Sequence, residues 1–256
     1  MGVLESILSA KRDYLRELGQ RTLPTPPPAR KFSLQREPRT PLRLIAEIKH
    51  RSPSAGALST ALSVAARAEA YQRGGASMVS VLCDIPFFDG DFTHLALARA
   101  ACDLPLLCKD FVIDERQLDA ARAFGADAVL LIVRCLTPEQ LSRLHAAALE
   151  RGLVPFVEVA SETEAHAALQ VGAELVGVNA RDLDTLTMDR ERAARILALL
   201  PSTLTRVHLS GLGSVQAVAG IAQSGVDAAL IGEALMRQDD PVPLLAGMAA
   251  EARALG

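Results

Sequence analysis

Two oppositely charged side chains lie on one face of an apolar segment near the start of the chain. The segment 43–49 has the composition of a buried strand, yet it contains Glu47 and Lys49. Residues two apart on a strand point to the same face, and charges among apolar residues are costly unless they are paired or used. A structural ion pair at a strand end is one interpretation. The polar loop 52–56 favours a functional one, because it is suited to binding an oxyanion rather than to forming a tight hairpin turn.

Residues of the same kinds follow other short apolar segments. They are two lysines, two glutamates, an asparagine and an arginine, namely Glu47, Lys49, Lys109, Glu158, Asn179 and Arg181. Such side chains can carry out general acid–base chemistry and bind anions. Folding alone would fill these positions with Val, Ile or Leu, so we interpret the set as functional.

The elements that must position these residues alternate regularly. From residue 43 onward, short apolar segments alternate with amphipathic helical patterns, which predicts a parallel sheet covered by helices. The predicted strands are 43–49, 77–83, 105–109, 127–133, 154–159, 174–179, 205–210 and 227–232. The predicted helices lie near 60–73, 92–101, 114–124, 137–151, 162–171, 189–199, 213–223 and 241–254.

An internal repeat favours closure of this α/β sheet into a (β/α)8 barrel. Gly75, Gly125, Gly172 and Gly225 each end a predicted helix, as a C-cap glycine does. They lie 50, 47 and 53 residues apart, which is two strand–helix units each time. A fourfold period suits an eight-stranded barrel, since its layers come from alternate strands. A doubly wound open sheet is the alternative. In a barrel the polar set would meet at the C-terminal ends of the strands.

Residues 1–40 are predicted to form an N-terminal helical extension with a Pro-rich connector. Helical spacing of apolar residues covers 3–18, and a cluster of prolines follows it. The segment is too small to bury a core of its own. We therefore expect residues 1–40 to lie against a catalytic barrel domain formed by residues 41–256.

Two further groups of residues indicate a phosphate and a ring. Ser210-Gly211 and Gly232-Glu233 follow the seventh and eighth strands, where many barrels bind a phosphate through backbone N–H groups. Plain helix caps are the alternative. Phe88 and Phe111 follow the second and third strands, although aromatic residues make up only 4% of the chain. They predict an apolar wall for a ring, or else a plug at the top of the barrel.

Composition excludes several classes of partner. The chain has 256 residues and a formal net charge of −3, and no apolar run approaches the ~18 residues of a membrane span. We expect neither a nucleic acid nor a membrane as partner, so any anionic ligand needs a local positive cluster. The four cysteines lack zinc-type spacing, which predicts no metal site and suits a reducing cytoplasm. Arg134, beyond the fourth strand, could reach an anion, but we favour a solvated loop arginine.

At this point the motifs resemble the indole-3-glycerol phosphate synthase family, over nearly the whole chain. The motifs are Ala46-Glu47-Ile48-Lys49 with Ser52-Pro53-Ser54, Phe87-Phe88-Asp89-Gly90, Cys108-Lys109-Asp110-Phe111, Val157-Glu158-Val159, Gly177-Val178-Asn179-Ala180-Arg181-Asp182-Leu183, Ser210-Gly211 and Leu230-Ile231-Gly232-Glu233-Ala234-Leu235-Met236. The resemblance implies ring closure of 1-(2-carboxyphenylamino)-1-deoxyribulose 5-phosphate with loss of carbon dioxide and water. This is a step of tryptophan biosynthesis, and the family needs no cofactor or metal.

The resemblance also implies residue roles. Lys109 matches the family's general acid, and Glu158 and Glu47 with Lys49 are candidates for the acid and base of dehydration. Asn179 would orient the substrate. Its anionic groups would lie near Lys49, Ser52 and Arg181. The glycerol phosphate end would meet Ser210, Gly211, Gly232 and Glu233, and the anthranilate ring would meet Phe88, Phe111 and Leu183. We also expect a neighbouring cation to lower the pKa of the lysine acid towards neutrality.

Two positions depart from the family pattern. Leu209 stands where a glutamate is usual, and Ala180 stands where a polar residue is common. Loss of a hydrogen-bond acceptor for the substrate removes about 0.5–1.5 kcal/mol of interaction free energy. We therefore expect weaker binding or slower turnover, with catalysis retained. Two alternatives remain open: another phosphate-binding barrel enzyme, such as a phosphoribosyl anthranilate isomerase, and a non-catalytic binding relative. We expect a monomer, with a dimer as the alternative.

Overall fold

A closed barrel of parallel strands forms the centre of the protein. The computed structural model describes residues 2–37, 40–53, 56–182, 185 and 187–252. In this part of the chain, eight parallel strands each pair with two neighbours and close the barrel. The strands, β1 to β8, are Arg43–Ile48, Met78–Leu82, Leu106–Lys109, Ala128–Ile132, Val154–Val159, Leu175–Asn179, Thr205–Leu209 and Ala228–Ile231. Each lies within a predicted range, which confirms the barrel, and the open-sheet alternative is wrong.

Helices cover the barrel in the predicted alternation. The helices α1 to α9 are Val3–Leu18, Val64–Arg73, Phe92–Ala101, Glu115–Ala123, Pro138–Glu150, Glu162–Gln170, Arg190–Leu199, Val215–Ala222 and Val242–Glu251. Short helical turns at Ile85–Phe88, Val133–Cys135 and Glu233–Met236 lie outside the predicted helices. None of the described helices is long and apolar enough to cross a membrane.

The glycine repeat marks a recurring helix end. Gly75, Gly125 and Gly172 have φ angles of +89°, +97° and +73°, and the residue after each donates to a carbonyl five residues earlier. Glycine adopts this left-handed C-cap without steric strain. The prediction is confirmed at these three positions. Gly225 has a similar φ of +75° but lies two residues beyond the C-cap, Gln223.

The loop after β1 differs from the prediction. Arg51–Ser52 and Gly56–Ala57 pair as two short antiparallel strands, with Ser52 opposite Gly56. The expectation that this segment makes no tight hairpin turn is therefore wrong. The φ of Gly56 is +68°, a left-handed conformation that glycine adopts without steric strain. Ser54 lies outside the described residues.

The apolar side chains form two separate clusters. Ile45, Met78 and Phe156 belong to a buried cluster that fills the barrel. Neighbouring strand residues such as Val79 and Val157 belong to the outer cluster between strands and helices. Successive residues on a strand face opposite sides, so one short strand serves both clusters.

The connector after α1 is attached to the N-terminal ends of the strands. Leu34 is buried in the interior cluster. The backbone N–H of Arg30 donates to Asp127 at 2.7 Å, and that of Arg36 donates to Asp227 at 2.9 Å. Both aspartates immediately precede strands, β4 and β8. The connector thus lies against the barrel end opposite the strand C-termini. The division into an extension of 1–40 and a barrel of 41–256 stays a prediction.

Candidate active site

A cavity of about 510 Å³ opens at the C-terminal ends of the strands. Every predicted catalytic residue lines it: Lys109, Glu158, Glu47, Lys49 and Asn179. Most predicted substrate-binding residues line it as well: Phe88, Phe111, Arg181, Ser210, Gly211, Gly232 and Glu233. Ser52 is buried but is not part of the cavity wall. Leu183 lies outside the described residues.

One layer of the barrel interior carries three of the charged candidates. When the strand register is followed around the barrel, Glu47 of β1, Lys109 of β3, Glu158 of β5 and Leu209 of β7 come to one level. Barrel layers are built in this way from four residues of alternate strands. Lys49 follows Glu47 on the same face of its strand. The site therefore combines two ammonium groups with two carboxylates.

Glu47 and Lys49 form an ion pair, which was one of the two interpretations of the strand pattern. Lys49 Nζ lies 2.7 Å from Glu47 Oε1, and the glutamate side chain is only 5% exposed. Burial raises the pKa of Glu47, but the ammonium groups of Lys49 and Lys109 lower it by more, so the net shift is downward. The carboxylate is therefore ionised well below neutral pH.

Gly232 leaves the space that this ion pair occupies. A Cβ on Gly232 would collide with Glu47 Oε1 and lie 3.0 Å from Lys49 Nζ. The φ of Gly232 is −119°, so the glycine is needed for space rather than for backbone freedom. Gly232 is also the N-cap of the one-turn helix Glu233–Met236. Gly232 therefore caps a helix, as the alternative interpretation has it, and its backbone also comes close to the Glu47–Lys49 pair.

Lys109, Glu158 and Asn179 form a second connected group. Asn179 Nδ2 donates to Glu158 Oε1 at 2.8 Å, while Asn179 Oδ1 accepts from the N–H of Arg181 at 2.9 Å. Both ends of the amide are thereby fixed. Lys109 Nζ lies 3.5 Å from Glu158 Oε2, an oxygen that is buried and has no hydrogen-bond donor among the described residues. This oxygen keeps a lone pair for a substrate.

The expected lowering of the lysine pKa is wrong for Lys109. Burial lowers the pKa of Lys109, but the carboxylates of Glu158 and Glu47 raise it by more. The earlier expectation considered only a neighbouring cation. The two carboxylates of the same layer come from other strands, so their effect depends on the barrel's closure. Lys109 is therefore a fully protonated acid at neutral pH.

An apolar wall faces the charged layer. The rings of Phe88 and Phe111 lie with centroids 6.1 Å apart and with their planes at 35°. Both line an open cavity rather than filling it, which favours ring binding over a plug. Val3, Leu4 and Ile7 of α1 complete the wall. The sequence indicated the apolar face of this helix but not the end of the barrel that it covers.

The loop after β7 adopts an unusual backbone conformation. Ser210 and Gly211 have φ angles of +70° and +78°, and a non-glycine residue in this region is strained by about 1–3 kcal/mol. Helix α8 is capped by another residue, Ser214, whose hydroxyl accepts from the N–H of Ala217. The helix-cap alternative is thus not supported at Ser210-Gly211. Such strain is typical of ligand-binding loops.

The two departures from the family pattern have different surroundings. Leu209 lines the cavity and is 3% exposed. A Cβ on Gly177 would clash with Leu209 and Phe156, so the leucine fills space beside a glycine. Ala180 is buried in the outer cluster, away from the cavity. Only the change at Leu209 therefore alters the cavity wall.

Arg134 is not the solvated loop arginine that we predicted. Its guanidinium lies 3.2 Å from Glu164 and 3.2 Å from Asp182, with 20% of the side chain exposed. Asp182 directly follows Arg181 in the loop after β6. Arg134 thus joins helix α6, which contains Glu164, to the loop after β6. In the described part of the chain, no three His, Cys, Asp or Glu side chains are grouped as metal ligands.

Comparison with known proteins identifies the family. The family model for indole-3-glycerol phosphate synthase matches residues 4–245. Indole-3-glycerol phosphate synthase 2 of Streptomyces coelicolor is 46% identical over 223 residues, covering 87% of this chain and 86% of the relative. The indole-3-glycerol phosphate synthase of Mycobacterium tuberculosis is 41% identical over 248 residues, covering 93% of this chain and 90% of the relative.

Solved structures of low identity share the fold. The 3-hexulose-6-phosphate synthase of Salmonella typhimurium has a TM-score of 0.67 at 13% identity, over 82% of this chain and 98% of that chain. The thiamine phosphate pyrophosphorylase of Pyrococcus furiosus has a TM-score of 0.63 at 18% identity, over 85% of this chain and 99% of that chain. These two similarities show only that the barrel fold is shared. The family match and the relatives establish that this chain belongs to the indole-3-glycerol phosphate synthase family.

Proposed function

We propose that this chain converts 1-(2-carboxyphenylamino)-1-deoxyribulose 5-phosphate to indole-3-glycerol phosphate with loss of carbon dioxide and water. The observation that carries the proposal is the convergence of two lysines and two glutamates in one cavity, beside an aromatic wall. Membership of the family and the names of the relatives support the same reaction. The family match also speaks against a phosphoribosyl anthranilate isomerase.

The cavity has a suitable group for each part of this substrate. Phe88 and Phe111 offer an apolar surface to the carboxyphenyl ring. Lys49 and Arg181 line the cavity and can attract the carboxylate and the phosphate. The backbone of the loops at Ser210 and Gly232 offers N–H groups to the phosphate end. Because the protein is acidic overall, these local cations supply the attraction for a ligand that carries both a carboxylate and a phosphate.

Lys109 is assigned as the acid of ring closure. The ring carbon that bears the carboxylate attacks the ketone carbon, and the ketone oxygen takes a proton from the Lys109 ammonium. The carboxylate then leaves as carbon dioxide, and its electron pair restores the aromatic ring. The raised pKa of Lys109 keeps the proton on the free enzyme at neutral pH. Glu158, 3.5 Å away, would orient the ammonium and stabilise its charge.

Dehydration requires a base and an acid on the new five-membered ring. We assign the base to Glu158, because its Oε2 has no hydrogen-bond donor among the described residues. Glu47 is the weaker candidate, since its pKa is lowered and its carboxylate is bound to Lys49. The hydroxyl leaves as water with a proton from a lysine ammonium, and the ring proton passes to Glu158. Asn179 would hold the Glu158 carboxylate in place.

The first test is product formation by the wild type beside Lys109→Ala, followed by the fluorescence of indole-3-glycerol phosphate. Lys31→Ala is a matched control, because Lys31 is an exposed lysine of the connector. We expect product from the wild type and from Lys31→Ala, and a loss of about 10²-fold or more in kcat for Lys109→Ala. Substrate binding without product would favour the non-catalytic relative. No binding at all would contradict the proposed substrate.

We further propose that the enzyme is a cytoplasmic monomer. Burial of Cys83, Cys102 and Cys108 as free thiols suits a reducing compartment. All five proposed catalytic residues line one cavity within a single chain, which is compatible with a monomer. Light scattering at the assay concentration tests the monomer, and a dimer mass would contradict it. Fractionation of the source cells tests the location, which recovery outside the cytoplasmic fraction would contradict.

A further inference from the structure

The strongest additional feature is a buried lysine on the N-terminal helix, next to the cavity. Lys11 of α1 is 1% exposed, and its ammonium lies 2.6 Å from Asp110 Oδ1 and 2.9 Å from Asp84 Oδ2. Both aspartate side chains are at most 1% exposed. A fully buried lysine is rare and requires partners. None of these three residues has a role in the chemistry proposed above, and the following inference rests on that proposed function.

The first partner, Asp110, is joined to the acid of ring closure. Asp110 directly follows Lys109 at the end of β3 and directly precedes Phe111. Its second oxygen accepts from Gln117 Nε2 at 2.8 Å, and the same amide donates to the Phe111 carbonyl at 2.9 Å. Lys11 therefore fixes the carboxylate between the general acid and one ring of the aromatic wall.

The second partner, Asp84, holds the other ring. Asp84 is the N-cap of the one-turn helix Ile85–Phe88, and its Oδ1 accepts from the N–H of Phe87 at 2.9 Å. A helix of one turn has little stability of its own. The carboxylate that caps it is fixed from the other side by Lys11. The position of Phe88 thus depends on the same ammonium group.

Helix α1 adds a wall to the cavity through the same attachment. Ile7 lies one turn before Lys11 on the same helix face, and Val3, Leu4 and Ile7 line the cavity. A buried ion cluster is a poor source of stability, since well-packed apolar residues often serve as well or better. A role limited to stability therefore does not explain why charges occupy this position.

We propose that Lys11 is a positioning residue of the reaction, which holds the end of β3 with Lys109, the helix with Phe88 and the apolar face of α1 in one arrangement. The extension is then part of the active site rather than an appendage. Lys11 does not contact the reacting atoms in this proposal. It acts through Asp110 and Asp84.

The test compares Lys11→Met with Leu18→Ala in the full-length protein. Methionine keeps the length of the side chain and removes its charge. Leu18 is buried in the outer cluster on the same helix, so Leu18→Ala weakens the packing of α1 without touching the ion cluster. For Lys11→Met we expect kcat to fall by about tenfold or more, because displacing a catalytic group by about 1 Å can lower the rate about 10²-fold. The KM should change less than kcat. For Leu18→Ala we expect a lower unfolding temperature with kcat within about twofold of the wild type.

Asp84→Asn provides a second variant if Lys11→Met does not fold. Asparagine keeps a side-chain oxygen for the helix cap but loses the charge that pairs with Lys11. We expect kcat to fall in Asp84→Asn as well, by a smaller factor than in Lys11→Met. A wild-type kcat in both charge variants would overturn the proposal. The proposal would also be overturned if Leu18→Ala lost as much kcat as Lys11→Met while its unfolding temperature fell by the same amount.

An independent measurement separates this proposal from the proposed function. The alcohol analogue of the substrate, with its ketone reduced, can bind but cannot cyclise. If the wild type makes no product, the proposed function fails, and calorimetry with this analogue then tests the positioning role. Weaker binding to Lys11→Met than to Leu18→Ala would support it, and equal binding would overturn it. No binding to the wild type would overturn both.

Discussion

Replacing Gly232 by alanine should lower the activity and leave the stability of the fold nearly unchanged. Gly232 faces the Glu47–Lys49 pair, and a Cβ there would lie 3.2 Å from Glu47 Cδ and 3.0 Å from Lys49 Nζ, with a still closer contact to Glu47 Oε1. Carbon atoms pack best at about 3.5–4.0 Å. The carboxylate must therefore move away from its present position, and the 2.7 Å ion pair must rearrange with it.

The magnitude follows from the size of this displacement. A shift of about 1 Å in a catalytic group can lower the rate by about 10²-fold, which corresponds to about 2.7 kcal/mol of transition-state stabilisation. The fold should be little affected for two reasons. The atoms that collide are the ends of two side chains beside an open cavity, and a φ of −119° is accessible to alanine. We expect the free energy of unfolding to change by less than about 1 kcal/mol.

Gly220→Ala is the matched control for Gly232→Ala. A Cβ on Gly220 meets no described atom within 4 Å, and the residue lies inside α8. The alanine should raise the stability by about 0.5–1 kcal/mol and leave kcat/KM unchanged. Steady-state fluorescence kinetics and urea unfolding measure both quantities. A folded Gly232→Ala variant with kcat/KM within about threefold of the wild type would refute a catalytic role for the pair geometry.

Three further predictions concern the charge layer. Leu209→Glu should raise kcat/KM by about two- to tenfold, the value of one hydrogen bond to a substrate hydroxyl, whereas Leu209→Met should leave it unchanged. An unaltered efficiency in Leu209→Glu would contradict the importance of this departure. The pH profile of kcat/KM should show no limb from Glu47 or Lys109 between about pH 5 and pH 10, because the pKa of the first is lowered from 4.5 and that of the second is raised from 10.5. Correspondingly, Lys109 stabilises the fold below pH 10.5 and loses this effect as the pH rises through its raised pKa, whereas Glu47 stabilises it above pH 4.5 and loses this effect on acidification. An alkaline limb between pH 7 and pH 9 that Lys109→Met abolishes would contradict the raised pKa.

Much of the fold could be predicted because its signals are local. The apolar segments lie at strand positions, and the left-handed glycines Gly75, Gly125 and Gly172 mark the ends of helices. The alternation gives the direction of every strand, and parallel strands bring their C-terminal ends to one edge. The placement of Glu47, Lys109 and Glu158 around one cavity follows from that edge alone. The hairpin at 51–57 was mispredicted, since the left-handed conformation of Gly56 is not determined by its neighbours.

Other features depend on residues distant in sequence. The direction of the Lys109 pKa shift comes from carboxylates on β1 and β5, which only the barrel's closure brings near. The sequence did not reveal that Ala180 faces the helices. It lies just beyond the end of a strand, and a single position there has no periodicity that shows which way its side chain points. Arg134 pairs with Glu164 of helix α6 and with Asp182 of the loop after β6, and neither residue is close to it in sequence.

The sequence by itself determined the eight strand–helix units, the end of the barrel that carries the candidate catalytic residues, and the family. These rest on periodicity, on glycine positions and on motifs of a few residues. The tertiary structure decided which charges pair, which glycine leaves space for them and where the N-terminal helix lies. Lys11 illustrates the difference: its helix is evident from spacing, but its partners Asp84 and Asp110 are on other elements. Burial and electrostatic interaction depend on distance in space, and only the closed barrel sets those distances.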